Sequence, residues 1–211
     1  MPSSATEKTY EAIKLALLNG RLAFGPLDIR RLGDRLRVSA TPVREALARL
    51  ACERLVLFVP QQGYSFAPPS AALLTDLYAL NADLVGLALA GRTVPPGRPG
   101  VAGPFPGSAP ATLLSATFLA IASSQPNREL EDQIKRTNDR LYLARTFEPL
   151  VFRGTLRDAR RLAALWDARQ IDSMRLALAR YRRARTRKAV EIARLIAGSP
   201  RPGEHAETRR T

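Results

Sequence analysis

The feature that most constrains the fold is a helical repeat of apolar residues that follows a Thr-Pro pair. Its members recur at three- and four-residue steps, namely Val43, Ala46, Leu47, Leu50 and Ala51. Thr41 is a suitable N-cap, and Pro42 suits the first position of a helix because that position needs no amide hydrogen. The pattern predicts a short helix with one buried face, which leaves Arg44 and Arg49 toward solvent or a partner.

Two further helices precede this one, and a hairpin follows it. One apolar stripe runs from Tyr10 to Leu18 and ends before Gly20, and another runs from Ile29 to Leu36. After the third helix, the β-favouring runs LVLFV and YSFA flank the short loop PQQG, which is typical of a hairpin. The order predicts a winged helix-turn-helix, a fold whose third helix enters the major groove of DNA while the hairpin wing contacts the backbone or the minor groove.

The same segment resembles the N-terminal domain of the GntR family of bacterial regulators. The family motif V-S-x-T-P-V-R-E-A-L-x-x-L stands here at residues 38–50, with alanine at its variable third position. Upstream, residues 18–22 are similar to the family's I-x-x-G-x-L. Downstream, Leu55, Val56 and the wing glycine Gly63 fall at the expected distances. The similarity runs in register through the whole segment.

The resemblance implies which residues contact DNA. Arg30 is implied to contact a phosphate or a base, and Ser39 and Thr41 are implied to hold phosphate oxygens. Arg44 is implied to read a guanine edge, where a two-pronged hydrogen bond contributes about 1–3 kcal/mol of discrimination. The remaining predicted DNA-binding residues are Pro42, Arg49, Gln62 and Gly63. The family commonly has arginine where this chain has Ala40, so we expect an altered half-site or weaker discrimination.

The net charge of +14 does not by itself identify this surface. Residues 1–70 carry ten Lys and Arg and six Asp and Glu, a net charge of +4, whereas residues 71–211 carry +10. A basic protein suits a polyanionic partner, but many surface arginines are simply solvated. Arg44 and Arg49 can likewise be solvated helix charges that pair with Glu45 or Glu53. The prediction therefore rests on the motif.

The rest of the chain predicts a second, all-α domain, which makes the fold class mainly α. We expect a winged helix-turn-helix at 1–69, a helical bundle for effector binding and dimerisation at 70–197, and a disordered tail at 198–211. One long helix is predicted near 73–90 and three or four more between 111 and 197. Between them, ten of the eighteen residues 93–110 are Pro or Gly, which predicts a mobile loop.

The second domain resembles the helical effector domain of the FadR-type (FCD) subfamily. The segment from Phe118 to Leu130 is similar to F-H-x-x-[IL]-x-x-x-x-x-N-x-x-L, and the region of Asp172 resembles the penultimate helix-turn. The subfamily often places an arginine on the first helix of this domain, where this chain has Asn81. The Pro/Gly loop stands where a whole helix is usual, so we expect a shortened domain.

The resemblance also implies a metal site that this chain cannot build. FCD domains usually hold a divalent metal with one Asp and three His, and the metal binds a small carboxylate. The Asp position is Ser115 here and the first His position is Leu119, while the other two His positions fall near Arg161 and Arg183. The single histidine, His205, lies in the tail. We therefore predict a lost metal site and no cofactor.

Two interpretations of the second domain stay open. Arg161 and Arg183 can turn inward and bind an anionic metabolite directly, because guanidinium groups suit carboxylates and phosphates. Alternatively they are surface charges, and the domain mainly dimerises. The candidate ligand-binding residues are Asn81, Ser115, Arg161 and Arg183, and the expected effector class is a small carboxylate or phosphate.

Other classes of protein are poorly supported. Without a histidine in the core, no Ser/His/Asp or Cys/His set can form, and neither a phosphate-binding loop motif nor a G-x-G-x-x-G motif occurs, so we predict that the chain is not an enzyme. The single cysteine, Cys52, is expected to be a small buried residue. No run of about 18 apolar residues is present, so we expect no membrane partner.

The predicted function is a regulator of transcription, of the repressor type, that binds a palindromic operator in double-stranded DNA as a homodimer. A small anionic metabolite modulates it if the second domain binds one, and the expected location is the cytoplasm, associated with the nucleoid. The alternative is a basic nucleic-acid-binding or architectural protein with little sequence specificity and no effector. Ala40 and the arginine-rich second domain favour that alternative, whereas the aromatic share of 6% weighs against RNA.

Overall fold

The structure, a computed structural model, describes residues 5–91 and 109–199. These residues divide into two compact units, an N-terminal unit that ends at Pro68 and a C-terminal unit that spans Pro69–Ala197. Most of the predicted Pro/Gly loop and tail, including His205, lies outside the described residues.

Three helices form the body of the N-terminal unit. They are α1 (Ala5–Leu18), α2 (Ile29–Leu36) and α3 (Ala40–Cys52). The predicted stripe on α3 is buried, since Val43, Leu47 and Leu50 have no exposed surface. Helix α3 packs mainly against α1, whose own buried residues include Ile13 and Leu17. Gly20 follows α1 in a left-handed conformation (φ 64°), which agrees with the predicted end of that helix.

A three-stranded antiparallel sheet completes the unit. Its strands are β1 (Gly25–Pro26), β2 (Leu57–Val59) and β3 (Gly63–Phe66), in the order β1-β3-β2. Phe58 pairs with Tyr64 across the hairpin, and their rings lie 5.2 Å apart. The predicted winged helix-turn-helix is therefore confirmed, although sequence patterns did not predict β1, which has only two residues.

Five helices form the C-terminal unit as far as the structure describes it, at 69–91 and 109–197. They are α4 (Ala71–Ala90), α5 (Pro110–Ala122), α6 (Arg128–Val151), α7 (Thr155–Asp167) and α8 (Ile171–Ala197). The most extensive packing is between α4 and α8, and α6 also packs on both. Side chains cap the N-termini of α4 and α6: Ser70 accepts a hydrogen bond from the amide of Leu73, and Asn127 accepts one from the amide of Leu130. The all-α prediction for this part of the chain is confirmed.

Helix α4 is 20 residues long, and its best window has a mean hydropathy of 1.4. By length and composition alone, a helix like this can cross a membrane. Its sequence is interrupted by Asp76, Asn81 and Asp83, and eight of its residues are buried against other helices. Packing in the bundle thus explains only part of the apolar character of α4, because Leu73, Leu80 and Leu87 on the same helix are exposed.

Two local predictions were wrong. The N-cap of α3 is Ser39, not Thr41, and Pro42 is the third helical residue. The third position still lacks an intrahelical partner for its amide, so proline fits there without loss of a hydrogen bond. Cys52 is exposed, because the buried stripe of α3 ends at Leu50 and the last turn presents Cys52 to solvent.

Candidate functional site

The second helix of the helix-turn-helix is fixed at its start by an aspartate. Asp28 is the N-cap of α2, and its Oδ1 accepts hydrogen bonds from the amides of Arg30 (2.8 Å) and Arg31 (3.1 Å). This cap satisfies two amides of the first turn. The side chain of Arg30 is exposed and, among the described residues, forms no ion pair. Arg30 is therefore available to an external anion.

The N-terminus of α3, unlike that of α2, has no side-chain cap. Ser39 occupies the N-cap position, but its hydroxyl makes no capping hydrogen bond to the helix. The hydroxyls of Ser39 and Thr41 are exposed beside the free amides of the first turn. Amides and hydroxyls at a helix N-terminus are suited to bind a phosphate oxygen. The structure thus brings both predicted phosphate-binding residues to one helix end.

Two arginines on α3 differ in their surroundings. Arg44 is exposed and has no ion-pair partner among the described residues, and its neighbour Glu45 accepts a hydrogen bond from Thr6 of α1 (2.8 Å). The guanidinium of Arg49 instead lies 3.7 Å from the ring centre of Tyr10 and 2.8 Å from Glu7. Arg49 is therefore engaged in the packing of α1 on α3, and its predicted contact with DNA stays a prediction.

Tyr10 and its neighbours anchor the other end of α3. Lys14 of α1 pairs with Glu53 at 2.8 Å, and the Tyr10 hydroxyl donates to the same carboxylate at 2.7 Å. Burial opposes ionisation of Glu53, but the hydrogen bonds from Lys14 and Tyr10 outweigh it, so the pKa of this carboxyl is lowered. The cluster fixes α3 without using its N-terminal half.

The wing carries the remaining predicted contacts. Gln62 is exposed, and its amide donates to the carbonyl of Val59 (3.0 Å), which closes the hairpin turn. Gly63 has a φ of 85°, a left-handed conformation that glycine adopts without strain. Both residues therefore lie at the tip of the hairpin, as predicted.

Comparison with known proteins decides the family of this unit. The family model described as bacterial regulatory proteins, gntR family, matches residues 5–66. The N-terminal unit is a GntR-family DNA-binding domain. Residues 5–66 therefore belong to a family of domains that is found in bacterial regulatory proteins. A search of curated protein sequences found no match.

Two solved GntR-type structures are similar over most of the chain. E. coli McbR/YncC has a TM-score of 0.64 and 21% sequence identity, and the similarity covers 89% of this chain and 98% of McbR. A transcriptional regulator, GntR, from Rhodococcus sp. RHA1 has a TM-score of 0.63 and 18% identity, with 93% and 99% covered. At these identities the similarity establishes the fold.

In the C-terminal unit, Asn81 and Ser115 lie together around a buried arginine. Arg145 of α6 has no exposed surface, and its guanidinium donates to Asn81 (2.8 Å), Ser115 (3.0 Å), Asn138 (2.9 Å) and Tyr181 (3.3 Å). All four partners are neutral. Sequence patterns therefore singled out two neighbours of this arginine but not the arginine itself.

A buried ion pair lies beside Arg145. Glu148 accepts two hydrogen bonds from Arg185 of α8, at 3.1 and 3.0 Å, and further bonds from the hydroxyls of Tyr78 (2.9 Å) and Tyr181 (3.3 Å). We call Arg145, Glu148, Arg185, Tyr78 and Tyr181 the buried charge cluster. Among the described residues, no buried side-chain nitrogen or oxygen lacks a hydrogen-bond partner.

The buried charge cluster does not suit a divalent metal. The Asp position of the FCD resemblance is Ser115, whose hydroxyl oxygen already accepts from the Arg145 guanidinium, and a cation there repels a metal ion. Within the described residues, no three His, Cys, Asp or Glu side chains cluster. The residues present thus do not fit the metal that the resemblance implies.

Arg161 and Arg183, the other two predicted ligand residues, lie in different grooves. Arg161 lines a cavity of about 210 Å³ between α7 and α8, together with Asp158, Arg180 and Arg185. Arg183 lines a larger groove, of about 420 Å³, between α4 and α8. A single small anion therefore cannot contact both arginines.

Sequence reasoning missed Arg145, Glu148 and Arg185. A signal was present, because Arg145 and Glu148 follow Leu141 at helical spacing on the buried side of α6. Charged residues are almost never fully buried unless they are paired. The spacing on α6 therefore indicated that Arg145 and Glu148 are buried and paired, but it did not indicate their partners on other helices.

Proposed function

We propose that the protein is a homodimeric repressor that binds a palindromic operator. Residues 1–69 supply the DNA-binding domain, and residues 70–197 the domain for dimerisation and effector binding. The proposal rests on which cations of the helix-turn-helix are engaged in ion pairs and which are not. Arg30 and Arg44 are exposed without ion pairs among the described residues, whereas Lys14 and Arg49 are paired with glutamates.

The proposed mode of binding assigns different tasks to the two ends of α3. The open N-terminus, with Ser39 and Thr41, holds a phosphate and so fixes the position of the helix. Arg44, one turn further on, reaches a base edge in the major groove. Gln62 at the wing tip contacts the backbone or the minor groove. A twofold dimer then matches an inverted repeat, with half-sites about one helical turn apart.

The experiment is a competition between two duplexes at physiological salt. One duplex carries an inverted repeat from the region upstream of the protein's own gene, and the other has the same composition in scrambled order. A sequence-specific regulator prefers the inverted repeat by about a thousandfold or more. Equal affinity for the two duplexes would support the alternative, an architectural protein that binds through phosphates.

Dimerisation requires its own measurement. We expect the protein to sediment as a dimer without DNA, and to bind the inverted repeat with two protomers per duplex. A monomer that binds a single half-site contradicts the proposed symmetry. The proposed location, in the cytoplasm and associated with the nucleoid, follows from binding to chromosomal DNA.

For the effector, we propose that a small carboxylate or phosphate enters the α7–α8 cavity. Arg161 and Arg180 at this cavity are exposed, and Arg185 contributes its Nη1, which lies 4.0 Å from the half-exposed carboxylate of Asp158. An anion that displaces Asp158 gains two-pronged hydrogen bonds from guanidinium groups. Binding then shifts the protein toward the conformation with lower affinity for the operator.

The effector proposal is tested by fluorescence titration with citrate and with inorganic phosphate. The only tryptophan, Trp166, lies on α7, the helix that also carries Arg161. Saturable quenching that Arg161→Ala removes and Arg183→Ala leaves intact supports this cavity. The reverse result places the anion in the α4–α8 groove, and no response to either anion favours a purely dimerising domain.

A further inference from the structure

The turn between α2 and α3 contains an arginine in a strained conformation. Arg37 is the C-cap of α2, with φ 56° and ψ 45°, and its amide donates to the carbonyls of Gly33 and Asp34. This left-handed region is one that glycine enters freely and that other L-residues enter at a cost. Arginine is therefore a poor choice for this position on backbone grounds.

The backbone of the turn imposes this conformation. The Val38 amide donates to the carbonyl of Gly33 at 3.0 Å, and a Cβ at Gly33 would lie only 2.9 Å from the carbonyl oxygen of Val38. Such close approach fixes the path of the chain, whichever residue stands at position 37. The Arg37 side chain is exposed and, in the part of the chain that the structure describes, forms no ion pair. It makes no ionic interaction there that would offset the strain.

The position of Arg37 suggests what the side chain does. It lies two residues before Ser39, the N-cap whose hydroxyl leaves the first turn of α3 open. Ala40, the next residue, has no charge to offer. We propose that Arg37 contacts a DNA phosphate at this end of α3 and supplies the cation that Ala40 lacks; this inference rests on the proposed docking of α3. Backbone strain alone does not mark the site, because Arg54 of the same unit is strained in the same way. The position of Arg37 beside the open end of α3 distinguishes the two residues.

Arg54 is a matched control within the same unit. It also has a left-handed backbone (φ 58°), is exposed, and shows no ion pair among the described residues. However, it follows the C-terminus of α3, about 20 Å from the open end if a 13-residue helix rises 1.5 Å per residue. Arg37 and Arg54 thus share residue type, charge and strain, and they differ in position.

The experiment compares Arg37→Gly, Arg37→Lys and Arg54→Gly. Binding to a labelled duplex of mixed sequence is measured by fluorescence anisotropy over a series of salt concentrations, and Tm is measured on the free protein. We expect both glycine variants to raise Tm by about 2 °C, because each relieves left-handed strain that the greater freedom of unfolded glycine only partly offsets.

The two glycine variants should differ in binding. Arg37→Gly is expected to weaken binding several-fold and to reduce the slope of log K against log salt by about 0.9 for each phosphate that the variant no longer neutralises. Arg37→Lys should keep most of the slope. Arg54→Gly should leave affinity and slope unchanged. The opposite signs of the effects on Tm and on affinity in Arg37→Gly are a result that a structural role does not produce.

Three outcomes overturn the proposal. They are an Arg37→Gly variant with unchanged salt slope, an Arg37→Gly variant with both a lower Tm and a lower affinity, and an Arg54→Gly variant whose affinity falls as much as that of Arg37→Gly. The mixed-sequence duplex keeps this test separate from the operator. If wild-type protein shows no preference for the inverted repeat, the proposed specificity is wrong, while the salt slope still decides the role of Arg37.

Discussion

The two units use arginine in opposite ways. In the N-terminal unit, Arg30, Arg37 and Arg44 are exposed, and none forms an ion pair within the described residues. In the C-terminal unit, Arg145 and Arg185 are almost fully buried, and the cluster around them satisfies their hydrogen bonds. The first set is arranged for a partner outside the chain. The second set is engaged mainly with other residues of the chain, although the Nη1 of Arg185 also borders the α7–α8 cavity. Net charge alone does not distinguish these two uses.

The physical difference is the cost of removing a charge from water. An exposed arginine keeps most of its hydration, so its loss changes stability little and binding more. A buried arginine has exchanged hydration for specific partners, so its loss, or the loss of its partner, changes stability most.

Removing the one carboxylate of the buried charge cluster should have the largest effect. Glu148→Gln leaves Arg145 and Arg185 as buried cations without a buried counter-ion, which we expect to lower the free energy of unfolding of the C-terminal unit by about 3–5 kcal/mol. Urea denaturation followed by Trp166 fluorescence measures this unit specifically, because the chain has one tryptophan and it is buried there.

The matched control is the double variant Glu148→Met, Arg185→Met. Replacing both members of a buried ion pair with apolar residues of similar size is often neutral. The double variant should therefore recover the part of the loss that comes from unpaired Arg185, whereas Arg145 still lacks a carboxylate nearby. A Glu148→Gln protein within about 1 kcal/mol of wild type, the size of an average point mutation, would contradict the structural role of the cluster.

Alkaline pH should weaken the C-terminal unit. Burial raises the pKa of Tyr181 from 10 to about 12, with Arg145 opposing the shift and Glu148 adding to it. Because the folded pKa lies above the unfolded one, the contribution is complete below pH 10 and is lost as pH rises through 12. At about 1.4 kcal/mol per unit, the expected loss is about 2–3 kcal/mol.

The variant Tyr181→Phe separates this effect from general alkaline denaturation. It removes the titrating hydroxyl, so its stability should fall less steeply than that of wild type between pH 10 and 12. Part of the slope should remain, since burial also raises the pKa of Tyr78. Equal slopes in urea titrations of the two proteins would mean that Tyr181 does not couple folding to pH.

Replacing an exposed arginine should change DNA binding and leave stability unchanged. Arg44→Ala is expected to cost about 1–3 kcal/mol of preference for the operator, or about 10- to 100-fold in the ratio of specific to random-duplex affinity. Stability should change by less than about 0.5 kcal/mol, because the side chain is solvated. Competition anisotropy and urea denaturation measure the two quantities.

Arg49→Ala is the matched comparison on the same helix. Because Arg49 packs on Tyr10 and pairs with Glu7, we expect this variant to lose stability in the N-terminal unit and to keep the specificity ratio. If Arg49→Ala instead loses specificity at unchanged stability, then Arg49 contacts DNA and must leave its intramolecular partners on binding. If Arg44→Ala keeps the full ratio of specific to random-duplex affinity, then Arg44 does not read a base edge.

The sequence predicts the exposed helix-turn-helix better than it predicts the buried charge cluster. The stripe Val43–Leu50 indicated the third helix, because local spacing determines it. The Thr-Pro pair placed the start of that helix too late, since Ser39 is the N-cap. The arrangement around Arg145 was not predictable in this way, since its partners come from α4, α5 and α8 and no local rule joins them. The exposure of Cys52 depended on where the buried stripe of α3 ends, which apolar spacing alone did not determine.

Acidic pH should produce the smallest effect, and in the other unit. Burial opposes ionisation of Glu53, but hydrogen bonds from Lys14 and Tyr10 prevail and lower its pKa below the usual 4.5. Its contribution is therefore present above pH 4.5 and is lost as pH falls through the lowered value. The carboxylate is partly solvated, so we expect it to contribute only about 0.5 kcal/mol to the free energy of unfolding.

A dye on the exposed Cys52 reports unfolding of this unit, and the stability of Glu53→Gln should fall less steeply with decreasing pH than that of wild type. If the stability of Glu53→Gln falls as steeply with decreasing pH as that of wild type, other carboxylates cause the acid sensitivity. If the prediction holds, the N-terminal unit weakens in acid because the Glu53 carboxylate must stay charged. Burial also raises the pKa of Tyr10, so this unit has a phenol that must stay neutral in alkali, as Tyr78 and Tyr181 must in the C-terminal unit.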